Sequence, residues 1–423
     1  MAGPLAGMRV LELAHERTAY AGKLLADAGA DVRLVEPPGG CAQRRHAPFA
    51  GDRPDPEQSL SFWHYNTSKR GITLELAAPR GRELARELIA RVDVVLEGED
   101  PGRLESLGLV ATDELARRRE LVWTSITPFG RSAPRADEPA TDLTLLAGGG
   151  PAWSCGYDDH SLPPVRGGGN QAYHMGGHYA VMALLVAVLE RERSGLGQLV
   201  DVNVHAACNV TTEFATYEWL VARGTVQRQT GRHATVARSA PTQARCADGR
   251  YANTGVPPRT SEEFGRLRQW VVDLGLAEEF PEIFLLEMGM QRPRIELWRI
   301  GQDEEATAIF AAGRDAIMLI ASRLPAAEFF RQAQERGIPV GVIYSPEEVI
   351  DDPHFRARGF PTEVDHPDLG RAVTYPGAPY RFLRTPWRIS RRAPRLGEHN
   401  AEIYGELGLG AEQLSALRDQ RVI

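Results

Sequence analysis

His174 and His178 stand four residues apart in a stretch whose apolar spacing predicts a helix, so both imidazoles could clamp a metal or move a proton from one helix face. A helical zinc clamp needs an intervening Glu and a third ligand, and neither occurs at the right spacing. The pair is expected to be structural or to line a polar site, and no metal is assigned. Asp158 and Asp159, in Gly156-Tyr157-Asp158-Asp159, are candidate carboxylates, but beside a glycine they read as turn residues. Cys41, Cys155, Cys208 and Cys246 lie far apart without a CxxC pair, which points to reduced structural thiols rather than a disulfide framework. Lys23 and Lys69 are the only lysines; arginine supplies the rest of the 49 basic residues. Against these stand 56 acidic residues, and the net charge of -7 opposes nucleic acid and anionic membranes as partners.

Such side chains need a scaffold, and the hydrophobic periodicity supplies one. Met8 to Ala14 alternates as a strand, Ala21, Leu24, Leu25 and Ala28 recur at helical spacing, and Asp31 to Val35 is a second strand. The pattern repeats with strands at Gly71 to Leu76, Asp93 to Leu96 and Leu121 to Ile126, separated by a helix from Pro79 to about Val92 and another around Asp113 to Arg119. Strands alternating with helices imply an α/β fold with a parallel sheet. No GxGxxG follows the first strand, so nothing signals a dinucleotide. A helix from about Gln171 to Glu192 is apolar all round over Ala180 to Leu189 and is expected inside the core. Val200, Val202 and Val204 then alternate as a half-buried strand. Near Arg223 the chain turns irregular and arginine-rich. Residues 225–325 read as a smaller domain, after which the helix from Ala326 and the run Ile338 to Tyr344 resume the α/β pattern, and His366 to Pro394 reads as an extended strap. The 423 residues suffice for two or three domains at roughly 150 each. The ten-residue run Ala180 to Leu189 is about half of the roughly 20 residues that cross a bilayer, and the N-terminus lacks a signal pattern, so a cytoplasmic protein is expected.

Several stretches, in order, resemble the class III CoA-transferases, the family that also holds α-methylacyl-CoA racemases and carnitine CoA-transferases. They include Pro4-Leu5-Ala6-Gly7-Met8-Arg9-Val10-Leu11-Glu12-Leu13, Leu25-Ala26-Asp27-Ala28-Gly29-Ala30-Asp31-Val32 and Val35-Glu36-Pro37-Pro38-Gly39-Gly40. Asn66-Thr67-Ser68-Lys69-Arg70, Arg191-Glu192-Arg193-Ser194-Gly195-Leu196-Gly197-Gln198, Gly337-Ile338-Pro339-Val340 and Ala393-Pro394-Arg395-Leu396-Gly397-Glu398-His399 continue the series. The resemblance implies a Rossmann-like large domain built from both chain ends (1–224 and 326–423), a small inserted α+β domain (225–325), and two protomers interlocked as a dimer. It implies a CoA thioester as substrate with no permanently bound cofactor. Lys69, in the family's N-x-x-K pattern, is implied as a CoA phosphate contact, with Arg17 and Arg44 near the CoA cleft. Glu97-Gly98-Glu99-Asp100-Pro101-Gly102 occupies the place of the family's N-F-R-P-G and puts two negative charges where a polyanion would pass.

CoA transfer in this family needs an Asp nucleophile that forms a mixed anhydride and then a thioester. Counting back from Arg191 places it at Ala172 or Tyr173, where there is no carboxylate. A phenol with a pKa near 10 cannot take that role, so Tyr173 reads as packing at the helix start. The His-Asp pair of the racemases aligns with Thr141-Asp142, so that His is absent too. The favoured expectation is the non-nucleophilic subunit of a heteromer whose homologous partner carries the Asp. Glu16, Tyr173, His174 and Asp142 are left as candidate substrate-lining residues. The rivals are a self-sufficient homodimeric transferase or racemase using Glu16 or His174, and a CoA-thioester-binding protein without turnover.

Overall fold

The computed structural model describes residues 2–229, 232–235 and 241–423; part of the arginine-rich segment after Arg223 lies outside them. Two compact units result. The first comprises Met1–Ala152, Arg166–Glu213 and Asp352–Ile423, and the second Trp153–Val165 and Phe214–Asp351.

The first unit is built on six strands, β1 (Arg9–Leu13), β2 (Asp31–Glu36), β3 (Arg70–Thr73), β4 (Val94–Glu97), β5 (Val122–Thr127) and β6 (Leu199–Asn203). All neighbouring pairs are parallel, in the order β3-β2-β1-β4-β5-β6. Successive residues point to opposite faces. Val10, Val94 and Leu96 enter one core with Leu25, Leu145 and Leu184, while Leu11, Val95 and Trp123 enter another with Leu88, Ile403 and Leu417. Helices α1 (Glu16–Asp27), α6 (Asp142–Gly149) and α7 (Gln171–Ser194) thus cover the first face. On the second lie α3 (Pro79–Ile89), α5 (Ala111–Arg117) and the C-terminal helices Asn400–Glu406 and Ala411–Asp419; α2 (Leu60–Tyr65) and α4 (Arg103–Ser106) are short connectors. The chain end is tied in by Tyr404, whose hydroxyl donates to the Thr73 carbonyl at 2.7 Å. Strand order reverses between β1 and β4. Loops leaving neighbouring strands diverge there, and the crevice at their C-terminal ends is where such sheets bind ligands.

In the second unit, helices Ser261–Asp273, Glu304–Arg323 and Ala326–Glu335 enclose Trp270, and Gln243–Arg245, Tyr251–Asn253 and Gly341–Val342 form a small antiparallel sheet. The helix from Ala326 was expected in the large domain. Instead Ala326, Phe329 and Ala333 are buried in the second unit, with the Phe329 ring stacked 5.6 Å from that of Trp270. This unit therefore runs further, on both sides, than the expected 225–325. The strap begins as a hairpin, Pro361–His366 paired antiparallel with Arg371–Pro376.

Helix α7 departs from expectation on one side. Ala180, Leu184, Ala187 and Val188 are buried, but Tyr179, Met182, Val186 and Leu189 are 39–64% exposed. Its length and apolar composition would suffice to cross a membrane, yet its other face is part of the core of the sheet domain.

Candidate functional site

At the switch point, α1 starts directly after β1. His15 caps it, its Nδ1 accepting from the Arg17 backbone N–H at 3.2 Å. Accepting through Nδ1 requires the neutral ring, and burial, reinforced by the Arg17 charge, lowers the imidazole pKa to about 4. One helical turn carries Arg17 against the loop that follows β4. Its Nη1 donates to the Gly98 carbonyl and to Asp100 Oδ1, both at 2.8 Å. Glu16 faces α7, where the Tyr173 hydroxyl donates to its Oε1 at 3.3 Å. Burial first, and then the Glu16 charge, push the Tyr173 phenol well above the ordinary tyrosine range, so it stays protonated and is no nucleophile.

The structure thus brings Glu16, Arg17 and Tyr173 together. Asp142 has another task. Asn170 makes no side-chain cap for α7, and Asp142 Oδ1 instead accepts from the Ala172 N–H at 2.7 Å, with Arg166 Nη1 3.2 Å from its other oxygen. A carboxylate at a helix N-terminus complements the helix dipole. His174 lies in an aromatic cluster, stacked 4.1 Å from Tyr20 and hydrogen-bonded to the Tyr65 hydroxyl at 2.8 Å; His178 meets the Tyr20 hydroxyl at 3.3 Å. No group of three potential metal ligands occurs among the described residues.

Lys69, implied as a CoA phosphate contact, and Arg44, implied near the CoA cleft, are both engaged in buried ion pairs. Lys69 is fully buried: its ammonium donates to Asn66 Oδ1 at 2.9 Å and to the Ala19 carbonyl at 3.1 Å and is ion-paired with Glu12 Oε2 at 2.7 Å. A charge enclosed and paired in this way serves the core first. Burial pushes the Glu12 carboxyl up and the Lys69 amine down, and each charge offsets the other's shift. Helix α1 passes this pair at Gly22, where an added Cβ would lie 1.9 Å from Glu12 Oε2. Arg44 is equally enclosed, held by both oxygens of Glu36 at 2.7 and 2.8 Å, by Glu57 at 3.0 Å and by the Pro394 carbonyl at 3.0 Å, over the Phe62 ring.

Sequence reasoning missed Glu12, Glu36 and the capping role of His15. Glu12 and Glu36 did leave a signal. Each is a carboxylate within or ending a buried apolar run of strand, Val10-Leu11-Glu12-Leu13 and Leu34-Val35-Glu36, a position that demands a cation partner. Two hollows open at the end of β1. One, of 160 Å³, is lined by His15, Glu16, Gln43 and His46; the other, of 170 Å³, by Glu36, Glu75 and Glu99 with Arg103.

The family model of CoA-transferase family III matches residues 5–400 of this chain. The chain belongs to that family. As a family III CoA-transferase it has transfer of CoA as its reaction class. It is 34% identical over 410 residues to the succinyl-CoA:(R)-benzylsuccinate CoA-transferase subunit BbsE of Thauera aromatica, covering 97% of this chain and 95% of the relative. With the succinyl-CoA–D-citramalate CoA-transferase of Chloroflexus aurantiacus it shares 31% identity over 427 residues, 99% of this chain and 98% of that one. The crystal structure of a CaiB/BaiF family protein from Brucella suis superposes with a TM-score of 0.77 at 26% identity, covering 96% of this chain and all of the other.

Proposed function

We propose that this chain is the non-nucleophilic subunit of a two-chain CoA-transferase, in which a homologous subunit supplies the catalytic Asp and CoA passes between an acyl-CoA and a carboxylic acid. One observation carries this reading: the start of α7 offers Ala172 and Tyr173 where the family's nucleophile is implied, and the Tyr173 phenol is driven away from ionisation. Asp142 cannot substitute while it caps the helix. The similarity to a protein named as a subunit supports the same reading. In this proposal Lys69 and Arg44 hold the scaffold rather than the ligand, and Arg17 remains the cation at the cleft. With Glu36 neutralised by Arg44, Glu75 and Glu99 outweigh the single Arg103 around the 170 Å³ hollow and oppose a polyphosphate, so the productive CoA site is assigned to the partner.

The second reading is a self-sufficient enzyme using Glu16, favoured by the position of that carboxylate against Tyr173. Incubation with acyl-CoA, hydroxylamine interception and mass spectrometry separate the two. A carboxyl-bound CoA adduct is expected on the partner subunit and not on this chain; an adduct on Glu16 would overturn the two-chain reading.

A further inference from the structure

A cavity of 200 Å³ lies wholly within the second unit, between residues 256–259, the helices Ser261–Asp273 and Glu304–Arg323, and the turn 337–339. Gly337-Ile338-Pro339 belongs to a stretch that carries the family resemblance, and the transfer chemistry gives it no task. The walls are fixed by close backbone approach. A Cβ on Gly255, which takes φ +63°, would lie 2.2 Å from the Pro339 carbonyl oxygen, and one on Gly313 would lie 2.8 Å from Pro258 Cγ. Leu267, Ile317 and Ile338 are buried and give the cavity an apolar floor, while Val256 is 53% exposed at its mouth.

Arg259 and Glu263 are the charged residues of the lining, and they are used differently. Glu263 caps its own helix: Oε2 accepts from the backbone N–H of Arg259 at 2.7 Å and of Thr260 at 3.1 Å. Burial opposes its charge, yet these bonds hold the carboxyl below the ordinary glutamate range, and the helix N-terminus complements the negative charge. The Arg259 main chain is anchored on both sides, since its carbonyl also accepts from the Ile295 N–H at 2.7 Å. Its guanidinium, on a half-buried residue, makes no hydrogen bond or ion pair among the described residues.

We propose that this cavity is a binding site for a small carboxylic acid with one apolar ring, the carboxylate on Arg259 and the ring against Leu267, Ile317 and Ile338. A guanidinium offers paired N–H groups that match a carboxylate edge to edge. The size fits the ring, because an apolar cavity of about 150 Å³ already holds benzene. Removing the ring from water against apolar walls supplies the rest of the affinity. The site shares no residue with the switch-point cleft, so it stands apart from the question of which chain carries the nucleophile.

Calorimetry on the purified full chain tests this, with benzoate as the probe and benzyl alcohol as its uncharged counterpart. One benzoate per chain should bind saturably, with benzyl alcohol roughly tenfold weaker, the lower end for a hydrogen bond to a charged group. Arg259→Gln should weaken benzoate by the same factor and leave benzyl alcohol unchanged. Val256→Trp, at an exposed position, should fill the mouth and weaken both probes. Absence of saturable benzoate binding at millimolar concentration overturns the proposal, as does a benzoate affinity that neither variant changes. Should Val256→Trp not fold, Arg259→Gln decides alone, since that side chain gives up no bond within the chain. Neither probe involves CoA or turnover, so the outcome is independent of adduct labelling.

Discussion

At Lys69 the side chain's fate is decided by what faces it across the sheet. The N-x-x-K pattern is visible in the sequence, and on the resemblance it suggests a phosphate contact. What the pattern cannot show is that β1 and β3 lie on either side of β2 and bring Glu12 to 2.7 Å from the ammonium, with both groups fully buried. Replacing Lys69 by Met leaves an uncompensated buried carboxylate and should cost about 3–5 kcal/mol of stability. Removing both charges, as Glu12→Gln with Lys69→Met, should recover most of that loss. Urea denaturation of the three proteins checks it. A Lys69→Met variant of native stability that had lost CoA affinity would restore the ligand role. Glu16, Arg17 and Tyr173 were legible as candidates through the family resemblance, which puts Arg17 near the CoA cleft and the nucleophile's position at Ala172 or Tyr173. The Asp100 contact to Arg17 was not legible, since it joins residues far apart in sequence across the switch point.

Helix caps show the same division between local pattern and tertiary contact. The strands of the sheet domain were legible as short apolar runs between helical stretches, because parallel strands covered on both faces must be apolar nearly throughout. How α1 and α7 begin did not follow from pattern. His15 caps one with an imidazole, and Asp142 caps the other from a different helix. The helix Ala326–Glu335 has a clear apolar stripe, but a stripe does not say which core it joins, and Trp270 took it. The cap at His15 carries a pH dependence. Its pKa is about 4 in the folded chain against 6.5 for a free imidazole, so between these values the unfolded chain binds a proton that the folded one refuses. Stability contributed by the neutral ring is therefore present above pH 6.5 and lost as pH falls toward 4. Asparagine caps a helix without titrating. Urea midpoints from pH 7 to 4 should fall less for His15→Asn than for wild type, by an amount on the order of 2 kcal/mol across that interval. Parallel pH curves for the two proteins would show that the ring does not act as the acceptor.

For the molecule as a whole, the composition predicts a globular chain and the alternation of strands with helices an α/β one, but neither predicts how much apolar surface it leaves open. Along α7, Tyr179, Met182, Val186 and Leu189 fall at i, i+3, i+7 and i+10, one continuous stripe, and each is 39–64% exposed. The second unit separately exposes Tyr217, Trp219, Leu220 and Val221, at 55–86%. Contiguous patches of this kind on a soluble protein mark association surfaces. The proposed two-chain enzyme requires such a surface, and interlocked protomers would bury far more than the roughly 1,600 Å² of a standard interface. Sedimentation at micromolar concentration should then show no folded species at the 46.5 kDa of one chain. Met182→Glu with Val186→Glu alters only exposed positions and should leave secondary structure intact, with a stability change of about 0.5 kcal/mol or less for each isolated surface site. Desolvating two carboxylates at the interface should nonetheless drive the chain to a monomer. If wild type already sediments as a stable monomer, the stripe has another purpose and the two-chain reading loses its structural support. If the double variant stays associated, the interface lies elsewhere than α7.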